Sequence, residues 1–128
     1  MSIINSSEKI NVGFIGAGNM GSAIMKGINL KLASAVNVRA YDSYTEKLGQ
    51  LAEFGVSPCK TAAEVVEASK FVFLAVKPQN FEELLVSVKD SMTSDKVIVS
   101  IAAGITADYI RSMTIPDAKV VLVMPNTP

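Results

Sequence analysis

The sequence predicts an α/β domain: a doubly wound, mainly parallel sheet with helices on both faces. Three observations lead there. Short β-rich apolar runs alternate with segments of helical periodicity along the chain, in the order β-α-β-α-β-α-β-α-β-α-β. One run, Phe71-Val72-Phe73-Leu74-Ala75-Val76, is apolar on both faces, as a central parallel strand covered from both sides must be. A glycine-rich turn also joins the first apolar run to the first helical segment. Crossovers between parallel strands are right-handed, which leaves the doubly wound sheet as the simplest topology.

Each element has its own signal. Residues 10–15 are apolar and bounded by glycine, a first strand. Met20, Ile24, Ile28 and Leu32 recur every four residues and so share one face of a helix. Residues 36–41, Val-Asn-Val-Arg-Ala-Tyr, alternate in part and form a second strand. A helix over residues 45–54 turns Leu48, Leu51 and Ala52 to the core, and Gly55 suits the C′ position that ends it. A very short strand at Val56 and Ser57 follows. Thr61 and Glu64 have capping-box spacing: the Thr hydroxyl accepts one backbone N–H and the Glu carboxylate reaches back to another. They open a short helix containing Val65 and Val66. After residues 71–76, Pro78 suits a first helical turn, where its missing N–H costs nothing. Phe81, Leu84, Leu85 and Val88 form the buried stripe of that helix. Residues 97–101 form a strand, Thr106 caps a helix with Ile110 and Met113, and residues 120–124 form the last strand. There is no internal repeat and no low-complexity tract. Residue 128 comes directly after that strand, and the expectation is that a further domain follows in the natural protein.

Composition narrows the function. The 128 residues suffice for one domain with a core, and 49% hydrophobic residues make it globular. Lys plus Arg is 12 against 12 for Asp plus Glu, with no basic stripe, which argues against nucleic acid as a partner. The absence of His excludes imidazole catalysis and His-ligated metal within this chain. Cys59 is the one cysteine and cannot form an internal disulfide, which fits a reducing compartment. It follows Pro58, has no His or second Cys to activate it, and reads as a small packing residue. The polar start over residues 1–9 lacks the basic and apolar segments of a signal peptide, and the apolar runs are far too short to span a membrane. A soluble, cytoplasmic protein is expected.

The glycine turn reads Gly16-Ala17-Gly18-Asn19-Met20-Gly21, G-x-G-x-x-G, directly after a predicted strand and at the opening of a predicted helix. In that context it is a Rossmann-type dinucleotide fingerprint. Gly16 permits the tight turn, Gly18 lets the backbone approach a pyrophosphate, and Gly21 lets the helix lie close to the sheet. The N–H groups around Asn19 and Met20, with the helix dipole, can hold an anion without a cationic side chain. A ligand-free turn and an S-adenosylmethionine loop are the alternatives; the series of βα units that follows favours the dinucleotide. Asp42 stands 21 residues after Gly21 at the end of the second strand, where an acid accepts hydrogen bonds from the adenosine ribose. A carboxylate there favours NAD, because the 2′-phosphate of NADP would meet it at a cost of about 1–3 kcal/mol. Asp42 also fits a turn or capping role. Ser43, Tyr44 and Thr45 could hold a phosphate with Lys47 nearby, so this end of the site admits both cofactors.

Ligands of such sheets bind at the carboxyl ends of the strands. Three segments lie there: Ala75-Val76-Lys77-Pro78-Gln79, Ser100-Ile101-Ala102-Ala103-Gly104 and Met124-Pro125-Asn126-Thr127-Pro128. The small residues of the second would let a flat ring approach the backbone. Lys77 fits a cofactor contact or a solvated cation equally well, and Gln79 fits a surface helix position.

Together with Val12-Gly13-Phe14-Ile15 and the glycine turn, these segments give a chain that resembles the pyrroline-5-carboxylate reductases in motif order and spacing over nearly its whole length. The Lys-Pro-Gln, Ala-Ala-Gly and Pro-Asn-Thr-Pro segments are the more specific part. The resemblance implies NADP or NAD as cofactor. It places the pyrophosphate at residues 16–21, the adenosine ribose or its phosphate at Ser43 and Asp42, and the nicotinamide side along Ala75, Val76, Lys77 and Pro78 and along Ala102, Ala103 and Gly104. Two departures stand out: many members have a less acidic residue where Asp42 stands and prefer NADPH, and members often have Asn near Ala62. The implied reaction reduces 1-pyrroline-5-carboxylate to L-proline by hydride transfer to a ring C=N bond. The cyclic imine can be protonated beforehand, so the missing His is no obstacle. In the family a C-terminal helical domain forms the dimer and supplies most of the substrate pocket. The 128-residue chain is therefore expected to bind cofactor with little or no turnover, to expose an apolar patch near residues 124–128, and to belong to a homodimer or larger homo-oligomer. No catalytic residue and no metal ligand is assigned. The alternatives are a β-hydroxyacid dehydrogenase, a deazaflavin-dependent NADP reductase, and a non-catalytic nucleotide-binding module that senses redox state.

Overall fold

The computed structural model of the chain describes residues 9–16, 18–32 and 34–123, the side chains of Asn19 and Met20 excepted. Strands β1 (Ile10–Ile15), β2 (Val36–Tyr41), β3 (Ser57–Pro58), β4 (Phe71–Leu74), β5 (Val97–Ser100) and β6 (Lys119–Leu122) alternate with helices α1 (Asn19–Leu32), α2 (Thr45–Ala52), α3 (Ala62–Ala68), α4 (Phe81–Val88) and α5 (Ala107–Met113). The strands form one sheet in the order β3-β2-β1-β4-β5-β6. Every pairing is parallel. The chain therefore runs outward from β1 to one edge, then crosses to β4 and builds to the other.

Side-chain alternation along β1 explains the two cores. Val12 and Phe14 point to one face, where they pack with Met25 of α1 and Leu48 and Leu51 of α2. Ile15 points to the other, with Val65 and Val66 of α3, Leu85 and Val88 of α4 and Ile110 of α5. In the neighbouring β4, Val72 and Leu74 join the second core while Phe73 stacks on Phe14 at 4.5 Å in the first. Each such fully buried apolar side chain contributes about 1.5–3 kcal/mol.

β1, β2, β4 and β5 start where the apolar pattern places them, β1 and β2 have the predicted bounds, and β6 starts one residue earlier than predicted, at Lys119. β4 is shorter than residues 71–76, because the backbone turns at Lys77 into a 3₁₀ turn (Pro78–Asn80) with Pro78 at its start. β3 is displaced by one residue from the predicted pair. Pro58 is tolerated there because β3 is an edge strand and its missing N–H leaves no ladder bond unmade. On α1 the sheet-facing side is rotated from the Met20-Ile24-Ile28-Leu32 row. Met25 is 0% exposed, Ile24 and Ile28 are half-buried, and Leu32 is 48% exposed. The row is displaced because Gly21 seats the helix start against Ala75, and residue 25, one turn on, faces inward. On α2, Leu48 and Leu51 are buried but Ala52 is exposed. The chain leaves α2 as predicted: Gly55 has φ +88°, its N–H donates to the Ala52 carbonyl at 3.0 Å, and the Val56 N–H donates to that of Leu51 at 3.3 Å.

Hydroxyl caps fix both short helices of the second face. The Thr61 hydroxyl accepts from the Glu64 N–H at 3.1 Å, and Glu64 Oε1 accepts from the Lys60 N–H at 2.9 Å, one residue before the cap. Thr106 accepts from the Tyr109 N–H at 3.1 Å. Gly13, outside the glycine turn, sets how closely α3 approaches β1. A β-carbon there would stand 2.3 Å from Ser69 Oγ and 2.4 Å from Val65 Cγ1.

Candidate functional site

The crossover from one half of the sheet to the other opens a cleft at the carboxyl ends of β1, β2 and β4, and the glycine turn sits beneath it. Gly16 leaves β1 with φ +96°, and its N–H donates to the Tyr41 carbonyl at 2.8 Å. A β-carbon at Gly16 would lie 2.8 Å from the Ala75 carbonyl, so the turn and the end of β4 touch backbone to backbone. At Gly21 it would lie 3.0 Å from Ala75 Cβ and 3.2 Å from the Gly16 oxygen, which is the close helix–sheet contact expected of the third glycine. Gly18 differs: nothing stands within 4 Å of a β-carbon there. The first turn of α1, a helix of 14 residues, has no acidic side chain. Its leading N–H groups have no intrahelical acceptors, so an anion at Gly18 would meet donors and a positive dipole end.

The cleft has a volume of about 790 Å³. Gly16 and Gly18 line it from the turn; Asp42, Ser43, Tyr44 and Lys47 from the end of β2 and the start of α2; and Ala75, Val76 and Lys77 from the end of β4. Three sequence-distant segments singled out for cofactor contact thus share one cavity. Asp42 is 9% exposed, and its Oδ1 accepts from the Tyr44 N–H at 2.8 Å. That bond is an Asx turn, so the carboxylate holds the loop that follows it. Lys77 is exposed at the rim, and Lys47 lies with its ammonium 5.4 Å from the Tyr44 ring centroid.

Other predicted positions lie elsewhere. Ala102, Ala103 and Gly104 follow β5, one strand farther along the same edge, and do not line the cleft. Ala102 is half-buried against the second core, whereas Ala103 and Gly104 are exposed, with φ +81° at Gly104. Pro78 starts the 3₁₀ turn behind Lys77 and does not line it either. Ala17 and residues 124–128, with the Pro-Asn-Thr-Pro segment and the patch expected there, lie outside the described residues, as do the side chains of Asn19 and Met20.

The rest of the wall is made by residues outside the predicted cofactor segments, one of them Ala62, the position near which members of the resembled family often have Asn. Thr61, Ala62 and Ala63 at the start of α3 line it together with Asn80, Glu83 and Ser87 of the following turn and helix. Only the topology makes α3 and α4 neighbours. The available signal was the polar side of the α4 stripe, at positions 80, 83 and 87. A second hollow of about 480 Å³ lies between α2 and the end of β3 and includes Leu48, Cys59 and Lys60. Cys59 is buried there. Burial foremost, then the Glu64 carboxylate, push its thiol above the usual value, so it stays protonated and unreactive. Among the described residues, no group of three or more acidic or sulfur side chains could hold a metal ion, and no helix is long and apolar enough to cross a membrane.

A parallel sheet of this order, with a glycine turn entering the helix after β1 and a cleft at the switch point, defines a Rossmann-type nucleotide-binding fold. Within that class the chain belongs to the family described as NADP oxidoreductase, coenzyme F420-dependent, which it matches over residues 11–104. It is 39% identical over 121 residues to the pyrroline-5-carboxylate reductase of Methanosarcina acetivorans, covering 93% of this chain and 45% of that protein. It is 36% identical over 122 residues to the Escherichia coli enzyme of the same name, covering 91% and 44%. Among solved structures it is similar to the Plasmodium falciparum pyrroline carboxylate reductase with NADP bound, with TM-score 0.78 and 29% identity over 94% of this chain and 44% of that one. The Coxiella burnetii pyrroline-5-carboxylate reductase gives TM-score 0.84 and 27% identity over 94% and 46%. The chain thus spans about half the length of the relatives it matches.

Proposed function

We propose that this chain is the NADPH-binding domain of a reductase that converts 1-pyrroline-5-carboxylate to L-proline. The observation that carries the reading is the single cleft joining the glycine turn, the β2 end and the Ala75-Val76-Lys77 segment. The relatives, by name reductases of this one substrate, supply the reaction. The residues fit a dinucleotide. The empty space at Gly18 takes the pyrophosphate, Ala17 and the N–H groups of Asn19 and Met20 bind it, and Gly16 and Gly21 hold the turn in shape. Asp42 and Ser43 lie at the adenosine ribose. Ala75, Val76, Lys77 and Pro78 run toward the nicotinamide, and Ala102, Ala103 and Gly104 border its outer end. Bound there, the dihydronicotinamide supplies the hydride that reduces the ring C=N bond. The task of these residues is to fix its position and keep water from it.

NADPH is favoured over NADH because Asp42 is already engaged by the loop it caps, while exposed Ser43 and the Lys47 ammonium stand at the same rim. Calorimetric titration should show NADPH binding about tenfold tighter, a difference of about 1.4 kcal/mol. Equal or tighter NADH binding would assign Asp42 to the ribose hydroxyls instead. The substrate pocket and the homodimer contacts belong to a helical domain beyond these residues, so the 128-residue chain binds cofactor without appreciable turnover, and the full protein reduces the imine. The family's description favours one other reading, exchange of hydride between NADP and a deazaflavin. Assays of the full protein with pyrroline-5-carboxylate and with the deazaflavin separate the two.

A further inference from the structure

Four polar side chains outside the predicted cofactor segments line the cleft: Thr61, Asn80, Glu83 and Ser87. Two of them are committed to backbone. The Thr61 hydroxyl accepts from the Glu64 N–H at 3.1 Å, and the Ser87 hydroxyl donates to the Leu84 carbonyl at 2.6 Å. The other two are not. Asn80 occupies the N-cap position of α4, where an asparagine with extended backbone accepts from a helix N–H. Here it closes the 3₁₀ turn instead, with φ −98° and ψ −1° and its N–H donating to the Lys77 carbonyl at 2.9 Å, and its amide makes no cap bond. Glu83 is exposed and forms no ion pair among the described residues. Standing three residues apart, Asn80 and Glu83 share one side of the α4 start. The cleft thus receives one amide and one carboxylate from a hydrogen-bonded turn, in a lining that also includes the apolar Ala62, Val76 and Leu84.

Resting on the dinucleotide reading above, we infer that Asn80 and Glu83 determine the base specificity of the site by reading the amino edge of the purine. The cleft stops short of Ala102, Ala103 and Gly104, which border the nicotinamide end, so the base it encloses is the adenine. A primary amide matches adenine with two parallel hydrogen bonds: its oxygen accepts from the exocyclic amine and its nitrogen donates to a ring nitrogen. The Glu83 carboxylate, an acceptor only, takes the second hydrogen of that amine. A purine with a carbonyl in place of the amine would set its oxygen against the carboxylate with no proton between them, and would break the parallel pair at Asn80. The two side chains therefore select an aminopurine over an oxopurine. That choice is separate from the one between NADPH and NADH, which is made at the ribose.

The probe is reduced nicotinamide hypoxanthine dinucleotide phosphate, which differs from NADPH in having a carbonyl where adenine has its amine. Calorimetric titration of the parent chain should give a Kd for NADPH about tenfold below that for the hypoxanthine analogue. Asn80→Ala and Glu83→Gln should each reduce that preference to about twofold or less, the first by weakening NADPH, the second by strengthening the analogue, because a glutamine amide can serve either base. Neither side chain holds the fold together, so both variants should melt as the parent does. Equal affinity of the parent for the two ligands, or a preference that either variant retains in full, would overturn the inference and leave the dinucleotide reading intact. A folded parent chain that binds neither ligand would overturn both.

Discussion

Gly16 and Gly18 stand two residues apart in one turn, and their surroundings are opposite. Gly16 has a left-handed backbone and carbonyl atoms 2.8 Å from where a side chain would begin, whereas Gly18 faces open space. The account therefore predicts that Gly16→Ala lowers stability by about 2–3 kcal/mol, through φ strain and the clash with Ala75. Gly18→Ala should leave the melting temperature almost unchanged, within about 0.5 kcal/mol, yet raise the Kd for NADPH about tenfold or more. Paired thermal unfolding and calorimetry check this; a destabilised Gly18→Ala with normal binding would contradict it. Cys59 gives a pH prediction. The folded state keeps its thiol protonated above the ordinary value of 9.0, so its stabilising contribution is complete below that value and is lost as pH rises through the raised one. The unfolding free energy of the parent relative to Cys59→Ala should accordingly stay constant around neutral pH and fall on the alkaline side, as pH rises above 9.0. A flat difference across that range would contradict the assignment. At this scale the glycine roles were legible in the sequence, because each follows from a missing β-carbon at a strand–helix junction. The role of Asp42 was not. A carboxylate after β2 suits both a ribose and a turn, and only the 2.8 Å bond to Tyr44 shows where one oxygen goes.

Helix α3 is the element on which part of the cleft wall depends. Two features seat it: the Thr61 cap and the absence of a side chain at Gly13. Thr61→Ala removes an acceptor for the Glu64 N–H and should lower stability by about 1 kcal/mol. Gly13→Ala forces a methyl against Val65 and Ser69 Oγ and should cost about 1–3 kcal/mol or more, with α3 displaced from β1. Chemical denaturation measures both; a neutral Gly13→Ala would show that α3 is free to shift. Caps and strand starts were readable because they are local, made by residues three or four apart. The face of α1 was not, because the four-residue row of Met20, Ile24, Ile28 and Leu32 is one of two adjacent rows, and the contact of Gly21 with Ala75 decides which turns inward. Nor was the packing of α3 against α4 beside the cleft, which arises from strand order rather than from any local pattern.

For the whole molecule, the parallel sheet and its two cores follow from five apolar runs, the short β3 and the handedness of their crossovers. The two sheet edges differ. β3 is two residues long and includes Pro58, a poor template for pairing, whereas Val121 and Leu122 of β6 and Val123 just after it are 41–48% exposed. The 128-residue chain should therefore self-associate weakly as its concentration rises, visible in sedimentation velocity, and a strictly monomeric chain at millimolar concentration would count against that edge being adhesive. The central claim, however, is that the cleft at the switch point holds NADPH. Calorimetric titration of the 128-residue chain with NADPH tests it most directly. The account predicts saturable one-to-one binding that weakens sharply in Gly18→Ala while the fold persists; no heat of binding from a folded parent chain, or binding indifferent to that substitution, would contradict it.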